Sequence, residues 1–288
     1  MTVVAEEKEE RQVKSFEKET LGQKLSLFYR VFSGSVLFGR KGTILWDSWD
    51  MWIMQIFITP PAEMAFFFLL ATSVYHEPSY AEFTVIGNAV QSMSFAAVFA
   101  VANITSQDKW QGTLENLIVT PANRMALFIG RASFQILMSI IIVVSAFVYA
   151  DFVFGVSFAN ANFLSLGITI VLTSVMMISF GLLISSIGLF MRTAMIVANI
   201  FLFLTMLVSG VNFPVSALPI WLQPVSWAIP MTYGVEAARG AIQGASLSSL
   251  AIILTKESLD GIAVLFAGYF LLKGFEHLAR KSGRLEQY

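Results

Sequence analysis

The chain has 288 residues, 56% of them hydrophobic and 13% charged, with a mean hydropathy of +0.72 and a formal net charge of -1. Soluble domains carry about 25% charged residues, so this composition excludes a water-soluble globule and points to an all-α polytopic membrane protein, lipid being the solvent that tolerates so much apolar surface. Cysteine is absent, which removes disulfides, thiolate metal sites and thiol nucleophiles, and the two histidines, His76 and His277, are far apart in sequence.

Residues 1–20 mix Glu6, Glu7, Glu9, Glu10, Glu17 and Glu19 with Lys8, Arg11, Lys14 and Lys18. A secretory signal needs a short apolar region near its start, and this is instead a charged, solvated segment expected in the cytoplasm. Residues 21–46 place Leu21, Leu25, Phe28, Phe32 and Val36 at helical spacing, with Gln23, Ser26, Arg30 and Ser33 mostly on the other side. That pattern reads as an amphipathic helix lying in the inner membrane surface; the alternative is a helix packed on another protein element. Trp46, Trp49 and Trp52 follow at every third residue, as at a membrane interface.

Residues 47–278 are expected to hold six spans of about 20 apolar residues each, over 51–75, 84–105, 127–150, 163–190, 193–212 and 259–276, before a cytoplasmic tail at 279–288. The basic residues gather in the segments that an inside amino terminus places in the cytoplasm. These hold Lys8 to Lys41, then Lys109 and Arg124, then Arg192, then Arg280, Lys281 and Arg284. The first two outer loops, 76–83 and 151–162, contain no Lys or Arg. This positive-inside bias puts both termini in the cytoplasm, an arrangement that requires an even number of spans.

Two connections carry more information than the spans. Between the second and third spans, Thr113 is a plausible helix cap, Leu114, Leu117 and Ile118 share one face, and Pro121 ends the helix. Such a helix either seats in a groove of a cytoplasmic partner or rests on the membrane as a structural loop. The stretch 213–258 is too polar and too broken by Pro214, Pro219, Pro224 and Pro230 to span simply. It is expected to form short re-entrant helices in the outer leaflet, sheltered by protein or water, with Trp221, Trp227 and Tyr233 at the interface.

Within the spans, Glu63 follows Pro60 and Pro61. An ionisable group at membrane depth is a functional candidate because its burial is costly. It would line a path or sense a proton, unless the prolines unwind the helix and Glu63 bonds the freed backbone or faces water. Asn88, Gln91, Asn103, Asn199 and Asn212 would touch a substrate or hydrogen-bond neighbouring helices. The aromatic residues, among them Phe66, Phe67, Phe68, Phe95, Phe201 and Phe203, would suit an amphipathic cargo, though most must face lipid or other helices.

The loop pattern Gly112-Thr113-Leu114-Glu115-x-Leu117-x-x-Thr120-Pro121-x-x-Arg124 resembles the cytoplasmic-loop signature of ABC-2 type permeases, the membrane subunits of a class of ABC exporters. A second stretch is similar to that family's segment after the fifth span. It runs from Ser209-Gly210-x-x-Phe213-Pro214 through Leu218-Pro219-x-Trp221-Leu222 to Pro230-Met231-Thr232-Tyr233-x-x-Glu236-x-x-Arg239-Gly240. The resemblance covers nearly all of the chain after residue 21. It implies that residues 112–121, Asn116 among them, form a coupling helix for an ATP-binding subunit, with Arg124 just beyond it and Glu115 as its main polar contact, either to that subunit or to the helix 21–46. It also implies that the first, second and fifth spans line the path, with Glu63, Phe67, Gln91, Phe95, Asn199, Phe203 and Asn212 as lining candidates. Residues 213–244 would then cap the path on the outside through Phe213, Pro214, Trp221, Pro230, Tyr233, Glu236 and Arg239.

The partners implied are two copies of an ABC ATP-binding subunit, a second permease copy or a homologous permease, and membrane lipid; no nucleic acid is expected. No cofactor is expected in this chain, since ATP and Mg would be bound by the ATPase. A near match to a phosphate-binding loop, residues 34–41, carries Arg40 where lysine is required and lacks a strand-loop-helix context. The alternatives are an ATP-independent secondary transporter or channel with Glu63 as the ion-coupled residue, and a membrane-embedded enzyme, for which no catalytic constellation is evident. The expected location is the cell (inner) membrane, and the cargo class that fits best is an amphipathic drug, antibiotic or lipid-like compound.

Overall fold

The computed structural model describes residues 21–46, 49–75, 78–110, 112, 124–188 and 194–282. Helix α1 (Leu21–Trp46) leads into α2 (Trp49–Ile53), a π-turn (Met54–Ile58) and α3 (Thr59–Tyr75). Then come α4 (Pro78–Trp110), α5 (Arg124–Phe152), α6 (Phe163–Gly188) and α7 (Ala194–Val208). A 3-10 turn (Val215–Ala217) precedes α8 (Gln223–Trp227), α9 (Pro230–Ile242) and α10 (Leu247–Ser282). No strand occurs among the described residues.

Four stretches are long and apolar enough to cross a membrane: Met54–Ser73, Ser79–Ile104, Ile129–Phe152 and Phe163–Ile187. These match the first four expected spans to within a few residues. The apolar helix Met195–Val208 is shorter, because the chain turns at Gly210, whose φ of +75° is the left-handed conformation that glycine adopts without a Cβ penalty. The expected sixth span lies inside α10, a helix of 36 residues interrupted by Lys256, Glu257, Asp260, Lys273 and Glu276.

Helix α4 is the axis of the bundle. Val85, Ala89, Met93, Ala97 and Val101 are fully buried along it, and α3, α5, α6, α7 and α9 all pack on it. Helix α10 packs on α6 and α9. By contrast, α3 presents Phe66, Leu69 and Leu70 outward, and α7 presents Ile200, Phe203, Leu204 and Leu207.

Helix α1 makes protein contact along part of its length. It packs on α5 through small residues. A Cβ on Gly39 would sit 2.7 Å from the Arg131 carbonyl oxygen, and one on Gly130 would sit 2.7 Å from the Phe32 carbonyl oxygen. Backbone therefore lies almost on backbone, the close approach that small residues allow between helices. The Arg131 guanidinium lies 5.3 Å from the Phe38 ring centroid across the same crossing. Leu25 and Phe28 of the expected apolar half remain exposed. The apolar stripe is thus divided, part of it spent on α5.

The proline pair also acts differently from expectation. Pro60 and Pro61 lack backbone donors, but the helix does not unwind; it widens into a single π-turn just before them. The Ile56 carbonyl, four residues before Pro60, accepts from Ser145 Oγ of α5 at 3.0 Å, and the Met54 carbonyl accepts from Thr59 Oγ1 at 3.0 Å. The Ile56 carbonyl is thus met by a hydroxyl of the neighbouring helix, while the Met54 carbonyl also keeps the Thr59 N–H.

The connections gather at two ends. At one, the α5–α6 turn meets the end of α9, where Asn162 N–H donates to the Ala241 carbonyl at 2.8 Å. The start of α4 meets the α7–α8 connection there as well, with the Tyr80 hydroxyl donating to the Asn212 carbonyl at 2.8 Å.

Candidate functional site

A cavity of about 630 Å³ opens between α3, α4 and α7, at the end where α9 lies. Phe67, Leu70 and Ala71 come from α3, Tyr80 and Thr84 from the first turns of α4, and Ile200, Phe203, Leu204, Met206 and Leu207 from α7; Asn212 and Phe213 follow. None of these lining residues is charged. The walls are aromatic and aliphatic, and the polar groups collect at one place.

That place is Asn212. Its Oδ1 accepts from Asn88 Nδ2 at 2.8 Å, and the same Asn88 amide donates to the Thr84 carbonyl at 2.8 Å. With Tyr80 bonded to the Asn212 backbone, the site has a hydrogen-bonding floor fixed to α4 under an apolar body. This is the usual build of a small-molecule site, in which apolar walls provide contact and a few placed polar groups provide orientation.

Arg239 secures the segment behind that floor. From α9 its guanidinium donates to the carbonyls of Gly210 at 2.8 Å, Val211 at 2.8 Å and Phe83 at 2.9 Å. It also stacks on the Phe83 ring, 3.3 Å from the centroid. Gly87 leaves the space, since a Cβ there would collide with the Val211 carbonyl and sit 2.6 Å from Arg239 Nη2. The carbonyls at 210 and 211 follow the end of α7, where a cation is favoured by the helix dipole. Burial lowers the Arg239 pKa from its ordinary value, while the Glu236 carboxylate and Tyr80 oppose that pull. One side chain thus ties α9 to α4 and to the end of α7.

The structure brings together some of the expected lining residues. Phe67, Phe203 and Asn212 line the cavity, joined by Phe213 from the expected cap. Phe95 lies behind them, its ring 6.4 Å from that of Phe203. Glu63 is half-buried one helical turn from Phe67 and is not a lining residue. Gln91 is fully buried without a hydrogen-bond partner for its amide, away from the lining. Asn199 is exposed and bonds its own helix, Nδ2 to the Met195 carbonyl at 2.9 Å.

In the expected cap, Pro230 is buried at the first turn of α9, where a missing N–H costs nothing. Tyr233 packs on Trp227 at 5.1 Å between centroids. Pro214, Trp221 and Glu236 are exposed. Of the expected coupling residues, Gly112 is an exposed turn residue and Arg124 opens α5. Thr113, Leu114, Glu115, Asn116, Leu117, Thr120 and Pro121 lie outside the described residues.

Tyr80 and Thr84 escaped the sequence reading, because nothing local shows that the first turns of α4 face the end of α7. Glu257 escaped it too. It continues the buried stripe Leu250, Leu254, Gly261 and Gly268 at helical spacing, a signal masked by Lys256 and Asp260 on either side.

The model of the ABC-2 type transporter family matches residues 36–242. The chain is 27% identical over 150 residues to the "Probable multidrug ABC transporter permease YbhR" of Escherichia coli strain K12, and equally to that of Escherichia coli O157:H7. The match covers 52% of this chain and 40% of each relative's length. The uncharged cavity, the apolar helices around it and a family match over most of the sequence agree: this chain is a multi-pass membrane protein that belongs to the ABC-2 type transporter family.

Proposed function

We propose that this chain is the permease subunit of an ATP-driven exporter, moving an amphipathic compound outward while a separate ATP-binding subunit hydrolyses ATP. The observation that carries the reading is the uncharged cavity between α3, α4 and α7 with its Asn212 floor. Its walls suit a ring-bearing or lipid-like molecule, and its floor suits one hydrogen-bonding group on that molecule. The relatives' printed name, a multidrug ABC transporter permease, agrees with such a cargo.

In this reading α7 and α10 supply the fifth and sixth spans, α8 and α9 form the outer re-entrant cover, and both termini lie in the cytoplasm. A second permease copy faces the exposed sides of α3 and α7 and completes the path. Residues 112–121 meet the ATPase on the opposite side of the membrane. The transported compound is held by contact area and one polar anchor, and is released when the cover and the facing copy part.

The test is ATP-dependent uptake of an amphipathic fluorescent dye into inverted vesicles containing the chain and its ATPase. Leu207→Trp, which fills the cavity from α7 without touching the core, is expected to abolish most uptake while thermal stability is retained. Uptake at the unsubstituted rate would overturn the cavity as the path. Uptake driven by an ion gradient, with no ATPase present, would overturn the exporter reading.

A further inference from the structure

Glu257 has no relative exposure to solvent, and neither carboxylate oxygen is held in a well-formed hydrogen bond. It projects from α10 into the junction of α6, α9 and α10. There it meets Thr173 of α6, also fully buried, whose hydroxyl is the hydrogen-bonding side chain beside the carboxylate. Both side chains point at one spot on α9. A Cβ on Gly234 would sit 3.0 Å from Glu257 Oε1 and would overlap Thr173 Oγ1. Helix α9 is therefore seated directly on the acid, and the absence of a side chain at 234 is what allows it.

No cation reaches the acid. Lys256, its neighbour on α10, is exposed, and Asp260, one turn on, is a second acid with an unpartnered oxygen. Helix α6 has no titratable residue from Phe163 to Gly188. On α9 the titratable groups are Tyr233, Glu236 and Arg239. Glu236 is exposed, Tyr233 packs on Trp227, and Arg239 is committed to three carbonyls on the side facing α4. An ionised carboxylate enclosed without a partner costs several kcal/mol or more, and such a group neutralises instead. A metal ion would need several more oxygens than one carboxylate and one hydroxyl, and no cluster of three or more His, Cys, Asp or Glu occurs among the described residues.

We propose that Glu257 is a proton-binding site that seats α9: the neutral acid donates to Thr173 Oγ1 and permits α9 to close over it, and release of the proton unseats α9. The step is a simple protonation. The proton comes from water and returns to it, and no other bond changes. Because the closed arrangement binds the proton more tightly than the open one, closure is favoured at low pH and weakens as pH rises through the point of release.

The experiment uses the full chain in lipid nanodiscs and does not depend on transport or on the ATPase. Amide hydrogen exchange of α9, corrected for intrinsic rates, is expected to speed up about tenfold per pH unit from the ordinary carboxylate range, where the open form loses its proton, up to the higher pH at which the closed form releases it, and to level off beyond, the slope of one linked proton. Glu257→Gln, a permanent mimic of the neutral acid, is expected to keep α9 protected and to flatten that slope. Glu257→Lys is expected to expose α9 at every pH. Infrared spectra at neutral pH are expected to show a neutral carboxyl band that Glu257→Gln removes and Glu63→Gln leaves. A flat wild-type slope, loss of protection in Glu257→Gln as large as in Glu257→Lys, or a band insensitive to Glu257→Gln would each overturn the proposal.

Discussion

Arg239 shows how a single residue can do what a loop cannot. The chain from Ser209 to Phe213 has left the helix and needs donors for its carbonyls, and Arg239 supplies them from another element. Replacing it with alanine removes three charge-assisted bonds and leaves buried acceptors unmet, a loss of roughly 3–5 kcal/mol. Arg239→Lys is expected to recover only part of this, since one ammonium cannot reproduce the planar fork. Thermal unfolding of the detergent-purified variants checks both. The pattern around Arg239 was visible in the sequence as part of the Glu236-x-x-Arg239-Gly240 stretch, but its partners were not. Phe83 lies 156 positions away, and periodicity carries no information at that range. Asn199 and Asn212 illustrate the same limit. Both are amides of one expected span, 193–212, yet Asn199 bonds its own turn while Asn212 forms the cavity floor.

At the scale of elements, apolar length was the readable quantity. It located α3, α4, α5 and α6 to within a few residues, because a run of about 20 apolar residues has few other uses. What such a run packs against was less readable. The stripe on α1 suited either lipid or protein, and only the glycine contact at Gly39 and Gly130 distinguishes them. Gly39→Leu is therefore expected to lift α1 from α5 without disturbing the spans. Thiol labelling of a cysteine introduced at Ser35, which is buried against Gly130 in this crossing, would report it, since the native chain has no cysteine to compete. The expected result is slow labelling in the parent and fast labelling in the Gly39→Leu background; equal rates would show that the close crossing is dispensable. The π-turn belongs to this scale as well. Its hydroxyl partners, Thr59 nearby and Ser145 on α5, are common residues whose role appears only once the helices are side by side.

For the whole molecule, the proposed exporter needs a signal to cross from the ATPase side to the cavity side. The sequence pattern at residues 112–121 is the proposed point of reception. Glu115→Arg or Leu117→Pro is expected to leave the chain inserted and folded while ATP hydrolysis by the partner continues without dye uptake. Uptake at the parent rate in both variants would place the coupling elsewhere. The cavity lies at the start of α4, and α4 runs on from it as one helix of 33 residues.

Asn212 gives the cavity end a property of its own. Its side chain is part of the cavity floor, while the two peptide units just before it are the ones Arg239 grips from α9. In the proposed exporter, a guest that leans on the floor therefore pulls on the same short tether that fastens the outer cover, and a bulky guest is expected to load that tether more than a small one does.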